Sequence, residues 1–107
     1  MKFSGNKPRW CLLPFDVLQL VVRVMEAGLY EGTEKEREPN DWQKGAPWLE
    51  YWDAMMRHMV AWKEGEDFDH DTGYNHIAHA IACGLILLWY GIYGVGTDDR
   101  KRHRENK

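Results

Sequence analysis

The stretch Ala80-Ile81-Ala82-Cys83-Gly84-Leu85-Ile86-Leu87-Leu88-Trp89-Tyr90-Gly91-Ile92-Tyr93 constrains this chain more than any other, because its fourteen residues carry no charge and read as apolar on every side of a helix. A helix of that kind must be surrounded. It falls short of the roughly 20 residues that span a bilayer, and a chain of 107 residues has room for only a few helices to cover it. The expectation is therefore a helical protein whose last helix is covered in part by another copy of the chain. Gly84 and Gly91, seven apart on one side, are places where a neighbouring helix can approach.

Two further helices are legible. Pro14, with Asp16 in the first turn, opens the broadly apolar run Val17 to Glu26, which ends near Gly28. Pro47 opens the second, where Trp48, Trp52, Met55, Met59 and Trp62 recur at spacings of four and three, the pattern of a core seam. Glu50, Asp53 and Arg57 lie on another face, and Asp53 with Arg57 forms an acid-first i,i+4 pair that is either a surface ion pair or part of a site. The third helix is placed from about Gly73 to Tyr93, capped by Asp71 or Thr72. Between the first two helices, residues 31–45 are dense in charge and hold Gly32, Pro39 and Gly45, so they read as a loop whose Trp42 is either a lid over a ligand or an anchor on the core. The fold class is thus all-α, a small bundle of three main helices completed by oligomerisation. One domain covers residues 1–99, followed by a basic tail over 100–107.

Charge narrows the partners. Residues 1–99 carry 9 basic and 16 acidic side chains, against 5 and 1 in residues 100–107. An acidic body repels a phosphate backbone, which excludes duplex nucleic acid as the main partner. It can still bind a phosphorylated small molecule through a bridging divalent cation. The basic tail is either a nucleic-acid arm or a solubilising end. Two cysteines, Cys11 and Cys83, make no disulfide framework, and residues 1–15 lack the apolar core of a signal peptide, so a cytoplasmic setting without membrane contact is expected.

The chemistry concentrates in two places. Glu64-Gly65-Glu66-Asp67-Phe68-Asp69-His70-Asp71-Thr72 holds five carboxylates, a metal site or a solvated helix cap. It is not an EF-hand, since Thr72 and Ala78 stand where the glycine and the bidentate glutamate are required. Crowded carboxylates repel one another, so neutralising them is expected to leave the stability of the metal-free chain unchanged or slightly improved. His76, His79 and Cys83 fall on one face of the third helix and His58 on the second, which invites zinc, although the spacing matches no recurrent zinc motif. There is no glycine-rich phosphate loop after a strand and no nucleophile elbow, so covalent catalysis has no support. Metal-assisted hydrolysis does.

Arg57-His58, then Gly65-Glu66-x-x-Asp69-x-Asp71-Thr72-Gly73-x-x-His76-x-x-His79, and then Asp98-Asp99-Arg100, resemble the small phage and bacterial dATP/dGTP diphosphohydrolase domain, grouped with the all-α MazG-like nucleoside triphosphate pyrophosphohydrolases. Lys7-Pro8-Arg9, Leu12-Leu13-Pro14, Asn40-x-Trp42 and Lys44-Gly45 extend the likeness over nearly the whole chain. The resemblance implies cleavage of a purine deoxynucleoside triphosphate to monophosphate and pyrophosphate with Mg2+ or Mn2+, in the cytoplasm of a bacterial host if the chain is phage-encoded. It implies Glu66, Asp69 and Asp53 as metal ligands, with Glu66, Asp69, His76 and His79 as the catalytic set. Asn40, Trp42, Lys44, Arg57 and His58 would bind the nucleotide, Trp42 by stacking on the base and Lys44 and Arg57 at the phosphates. The histidines are expected to contact phosphate or brace carboxylates rather than bind the hard cation. The rival function is a module that sequesters a signalling nucleotide, a phage sponge, without turning it over. This chain has Asp71-Thr72 where the family usually has Glu-Ser.

Overall fold

The apolar run folds as the helix His76–Tyr93 (α3) in a computed structural model that describes residues 5–28 and 38–101. It starts three residues later than its hydropathy suggests. Residues Asp69 to Tyr74 close a tight turn instead, with Gly73 N–H donating to Asp69 O at 2.8 Å, Asp69 N–H to Tyr74 O at 2.8 Å, and Gly73 at φ +78°. The cap is therefore Asn75, whose side chain accepts from Ile77 N–H at 2.7 Å, rather than Asp71 or Thr72. Gly94 ends the helix in the left-handed conformation that favours glycine.

Two helices pack on α3, Phe15–Ala27 (α1) and Trp48–Lys63 (α2), each entered from an extended proline. The described residues hold no strand and only two isolated bridges, Pro47 with Thr97 and Phe68 with Asn75. The all-α expectation is met. Val21 and Val24 of α1 bury against Ala78 and Ala82 of α3, with Leu18, Met25 and Tyr74 at the margin. In the connection, Asp41–Lys44 forms a short 3-10 turn, while residues 31–37 of the sequence-derived loop and residues 102–107 of the basic tail lie outside the described residues.

The α2 seam differs from the one expected. Residues of α2 repeat every 100°, and the α3-facing side holds Trp48, Tyr51, Met55 and His58. Tyr51 stacks edge-on against Tyr90, and His58 meets His76 and His79. Trp52, Met59 and Trp62 are exposed, and α2 has no fully buried residue. The face turned to α3 is chosen by partners for Tyr51 and His58, which a count of apolar residues ignores. Neither glycine of α3 marks a close approach, since a Cβ at Gly84 would sit 3.7 Å from Met55 Sδ, an ordinary contact, and one at Gly91 would meet nothing within 4 Å.

α3 has three faces. One packs on α2, one on α1, and the third carries Ile81, Leu85, Leu88 and Ile92 at spacings of four, three and four, all exposed, up to 65% at Ile92. By length and composition alone α3 is apolar enough to cross a membrane. Its first turn, however, carries two histidines tied into a polar cluster, described below.

The far end of the bundle is clasped by the residues after α3. Thr97 exchanges hydrogen bonds with Ala46 (3.2 Å) and Trp48 (3.0 Å), Trp48 Nε1–H donates to Val95 O at 2.8 Å, and Asp99 Oδ1 accepts from Leu49 N–H at 3.0 Å, capping α2 from outside. Asp98 holds Arg100 through two bonds of 2.8 and 2.9 Å, and the guanidinium lies 4.9 Å over the Trp48 ring. Gly96 makes the crossing possible at φ +82°, where a Cβ would run into the Ala46 carbonyl oxygen. Gly96→Ala is expected to destabilise the fold by roughly 1–3 kcal/mol, read as a lower urea midpoint at unchanged slope. An unchanged midpoint would show that the clasp is loose.

Candidate functional site

The turn that delays α3 also builds a cluster at its first turn. His76 is 4% exposed, and its Nε2 lies 2.6 Å from Glu66 Oε1, while Glu66 Oε2 lies 2.7 Å from Nε2 of the exposed His70. Both oxygens of Glu66 are thus taken by imidazoles. His76 Nδ1 faces His58 Nδ1 at 2.9 Å, one donating to the other. Asp69 Oδ2 accepts from Thr72 N–H and from the Thr72 hydroxyl, both at 3.0 Å. With its proton committed to Asp69, that hydroxyl accepts from His79 Nε2–H at 2.7 Å. His79 lies flat on His58, ring centroids 4.3 Å apart and 5° from parallel. One ligand atom each from His58, Asp69 and His76 falls within 4.8 Å of the others.

The electrostatics follow from these contacts. The hydrogen bond from His76 holds the Glu66 carboxyl below its ordinary value, and His70 adds to this against a partial loss of solvent. Burial pushes Asp69 up, but the Thr72 bonds and the neighbouring His79 and His58 outweigh it, and the carboxyl ends low. Burial chiefly, then His79, lowers the His58 imidazole, with Asp69 opposing. The carboxylates are therefore paired with imidazoles rather than repelling one another, and the expectation that neutralising them costs no stability is corrected. Depressed carboxyls contribute stability above the unfolded values near pH 4, lost as pH falls through the folded ones. A lowered histidine adds an earlier loss, because below roughly pH 6.5 the unfolded chain takes up a proton that the folded chain refuses. In chelator, the melting temperature is expected to be flat between about pH 7 and 8, to decline below about 6.5 and to fall further below about 4. A melting temperature unchanged from pH 7 to 5.5 would remove the His58 contribution.

The structure brings together five of the sequence-derived residues, Glu66, Asp69, His58, His76 and His79, and separates the others. Asp53 and Arg57 stand outside the cluster, lining a shallow groove of about 520 Å³ along α2 with Met56, Val60 and Ala61, and no ion pair joins them, although the Arg57 charge is felt at His58 and at Cys83 of α3. Asn40, Trp42 and Lys44 sit at the far end of α3. Trp42 packs edge-on against Trp89 at 5.0 Å, and its carbonyl accepts from the fully buried Tyr90 hydroxyl at 2.5 Å. Ten or more residues of helix separate Trp89 and Tyr90 from His76 and His79, about 15 Å or more along the axis. Trp42 therefore serves as the loop anchor, and Lys44, largely exposed, pairs with Asp41 at 2.9 Å. Cys83 stays outside the metal-spaced group, and burial pushes its thiol up. Sequence reasoning missed Thr72 and His70. Their signals were the Asp-x-x-Thr spacing of a side-chain turn and the i,i+4 step from Glu66.

Comparisons with known proteins agree with the residue pattern. Residues 1–100 match the family model described as dATP/dGTP diphosphohydrolase, N-terminal. A dATP/dGTP diphosphohydrolase of Salmonella phage PMBT28 is 29% identical over 102 residues, 95% of this chain and 33% of the relative. The chain thus spans about a third of the length of the curated relative it matches. No solved structure matches it.

Proposed function

The chain belongs to the dATP/dGTP diphosphohydrolase N-terminal family, and from that premise we propose that it takes part in the divalent-metal-dependent hydrolysis of purine deoxynucleoside triphosphates to monophosphate and pyrophosphate. The observation that carries the reading is the cluster itself: Glu66, Asp69, His58, His76 and His79, the residues matching the family's ordered motif, meet between α2 and α3 and its preceding turn. The donor set fits a divalent cation, with His58, Asp69 and His76 as the groups that would hold it. When bound, such a cation neutralises phosphate charge and lowers the pKa of a water to make the nucleophile.

The chain's own residues divide the remaining work. Glu66 fixes the ring of His76, and Thr72 links His79 to Asp69 so that the second imidazole is held in register. His58, with its pKa lowered, stays neutral at pH 7 and keeps a lone pair available. Asn40 and Lys44 lie too far along α3 to meet a nucleotide at the same chain's cluster, so a second copy would have to supply them, while Trp42 is engaged against Trp89. The open Ile81-Leu85-Leu88-Ile92 face supports such a homo-oligomer. A cytoplasmic setting in a bacterial host is the compartment this reading implies.

The test is a panel of deoxynucleoside and ribonucleoside triphosphates incubated with protein and Mg2+ or Mn2+ and followed by mass spectrometry. Monophosphate and pyrophosphate are expected from dATP and dGTP. Nucleotide recovered intact but bound to protein would replace turnover with sequestration.

A further inference from the structure

We propose that the cluster is a site for a first-row transition-metal cation, held by Nδ1 of His58, Nδ1 of His76 and the carboxylate of Asp69, and that Glu66 positions His76 instead of touching the metal. The inference rests on reading this cluster as the functional centre, and it departs from the oxygen-only site that the sequence suggests. Mg2+ asks for near-octahedral oxygen and sheds water reluctantly, whereas two imidazoles and one carboxylate suit Mn2+, Co2+ or Zn2+.

Three observations carry it. The two Nδ1 atoms face each other at 2.9 Å, close to the roughly 3 Å expected between neighbouring ligands that each stand about 2.1 Å from one cation. Glu66 is spent on other partners, since Oε1 meets His76 Nε2 and Oε2 meets His70 Nε2. That arrangement directs the Nε2–H of His76 to a carboxylate and leaves Nδ1 with the lone pair, the pattern of a carboxylate bracing a metal-ligating histidine. Thr72 occupies only Oδ2 of Asp69, and Oδ1 takes no hydrogen bond from the described residues. As the cation enters, the proton that His58 holds between the two Nδ1 atoms is exchanged through solvent to His58 Nε2, so that both rings ligate as neutral imidazoles.

The test uses the full chain and no nucleotide. Equilibrium dialysis against Co2+, Mn2+ and Mg2+, with the visible spectrum of the Co2+ form, is expected to give one Co2+ or Mn2+ per chain. Mg2+ should bind at least about 100-fold more weakly. His58→Gln is expected to abolish Co2+ binding, and Glu66→Gln to weaken it about 10- to 100-fold while leaving the Co2+ spectrum unchanged. Equal affinity for Mg2+, a Co2+ site that survives His58→Gln, or a spectrum altered by Glu66→Gln would each overturn the assignment. Should His58→Gln lose helix content, 15N resonances of the wild-type histidines titrated with Zn2+ take its place: movement at Nδ1 of His58 and His76 supports the site, and movement at Nε2 or none overturns it. A chain that holds Co2+ as described but hydrolyses nothing keeps the site and loses the proposed function. A chain whose His58→Gln variant still hydrolyses dGTP with Mg2+ does the reverse.

Discussion

Asp69→Asn is expected to lower nucleotide turnover by about 100-fold or more, while Asp53→Asn changes it by no more than a few-fold. Both residues read from the sequence as metal ligands, and both substitutions remove one formal charge with little change of shape. They separate because the fold puts them in different surroundings. Asp69 stands within ligand reach of His58 and His76, and its Oδ2 is fixed by two bonds from Thr72. Asp53 stands outside the cluster, in an open groove beside Met56 and Val60. An amide at position 69 still accepts from Thr72, so the turn should persist and the helix content by circular dichroism should be unchanged. Rates for the two variants on dATP and dGTP decide the matter. Equal losses at both positions would place the cation elsewhere and would mean that α2 is approached from its outer face.

The other large effect concerns assembly. Light scattering of the wild-type chain without detergent is expected to give a mass above 12.6 kDa, and Leu88→Glu combined with Ile92→Glu to return it to the monomer. The two side chains are 62% and 65% exposed and lie on the open face of α3. Covering one such aliphatic side chain contributes about 1.5–3 kcal/mol. In a symmetric pair each substitution counts twice, so the double variant removes roughly 6 kcal/mol or more, a weakening of at least about 10⁴-fold. Circular dichroism keeps the test clean, because neither residue supports the Val21, Val24, Ala78 and Ala82 core. A wild-type chain that stays monomeric at high micromolar concentration would remove the oligomer, and a chain that instead partitions into lipid vesicles would assign the face to a membrane.

The helices were legible because proline and glycine punctuate them and because apolar runs of this length have few alternatives. Their boundaries were less so. Gly73 and the Asp69-Thr72 bonds hold three residues back from α3, and no periodicity reports a turn built by side chains. The seam of α2 was misread by one step, since Trp52 and Met59 outrank Tyr51 and His58 on any scale of apolarity. What decided the face was that Tyr90, His76 and His79 wait on α3. The cluster was legible as a neighbourhood, from His76 and His79 one turn apart and from carboxylates just upstream. The division of labour inside it was not. That Glu66 spends both oxygens on imidazoles, and that Asp69 keeps one, depends on the path of residues 66–74, which spacing does not encode. Trp42, an aromatic among polar residues, read as either a lid or an anchor, and its ring against Trp89 and its carbonyl on a buried tyrosine hydroxyl make it the anchor.

The bond from Leu49 N–H to Asp99 bears on the order in which the chain can be finished. A helix normally completes its first turn with a neighbour in sequence, at a small loss of freedom. Here the acceptor is fifty positions away, and bringing such distant points together costs on the order of 3–4 kcal/mol of loop entropy. The Leu49 N–H therefore gains this partner only once α3 has docked and the chain has crossed back over Ala46, whereas Glu50 N–H is served locally by Pro47 O. Amide exchange at Leu49 is accordingly expected to report the closing of this clasp rather than helix formation.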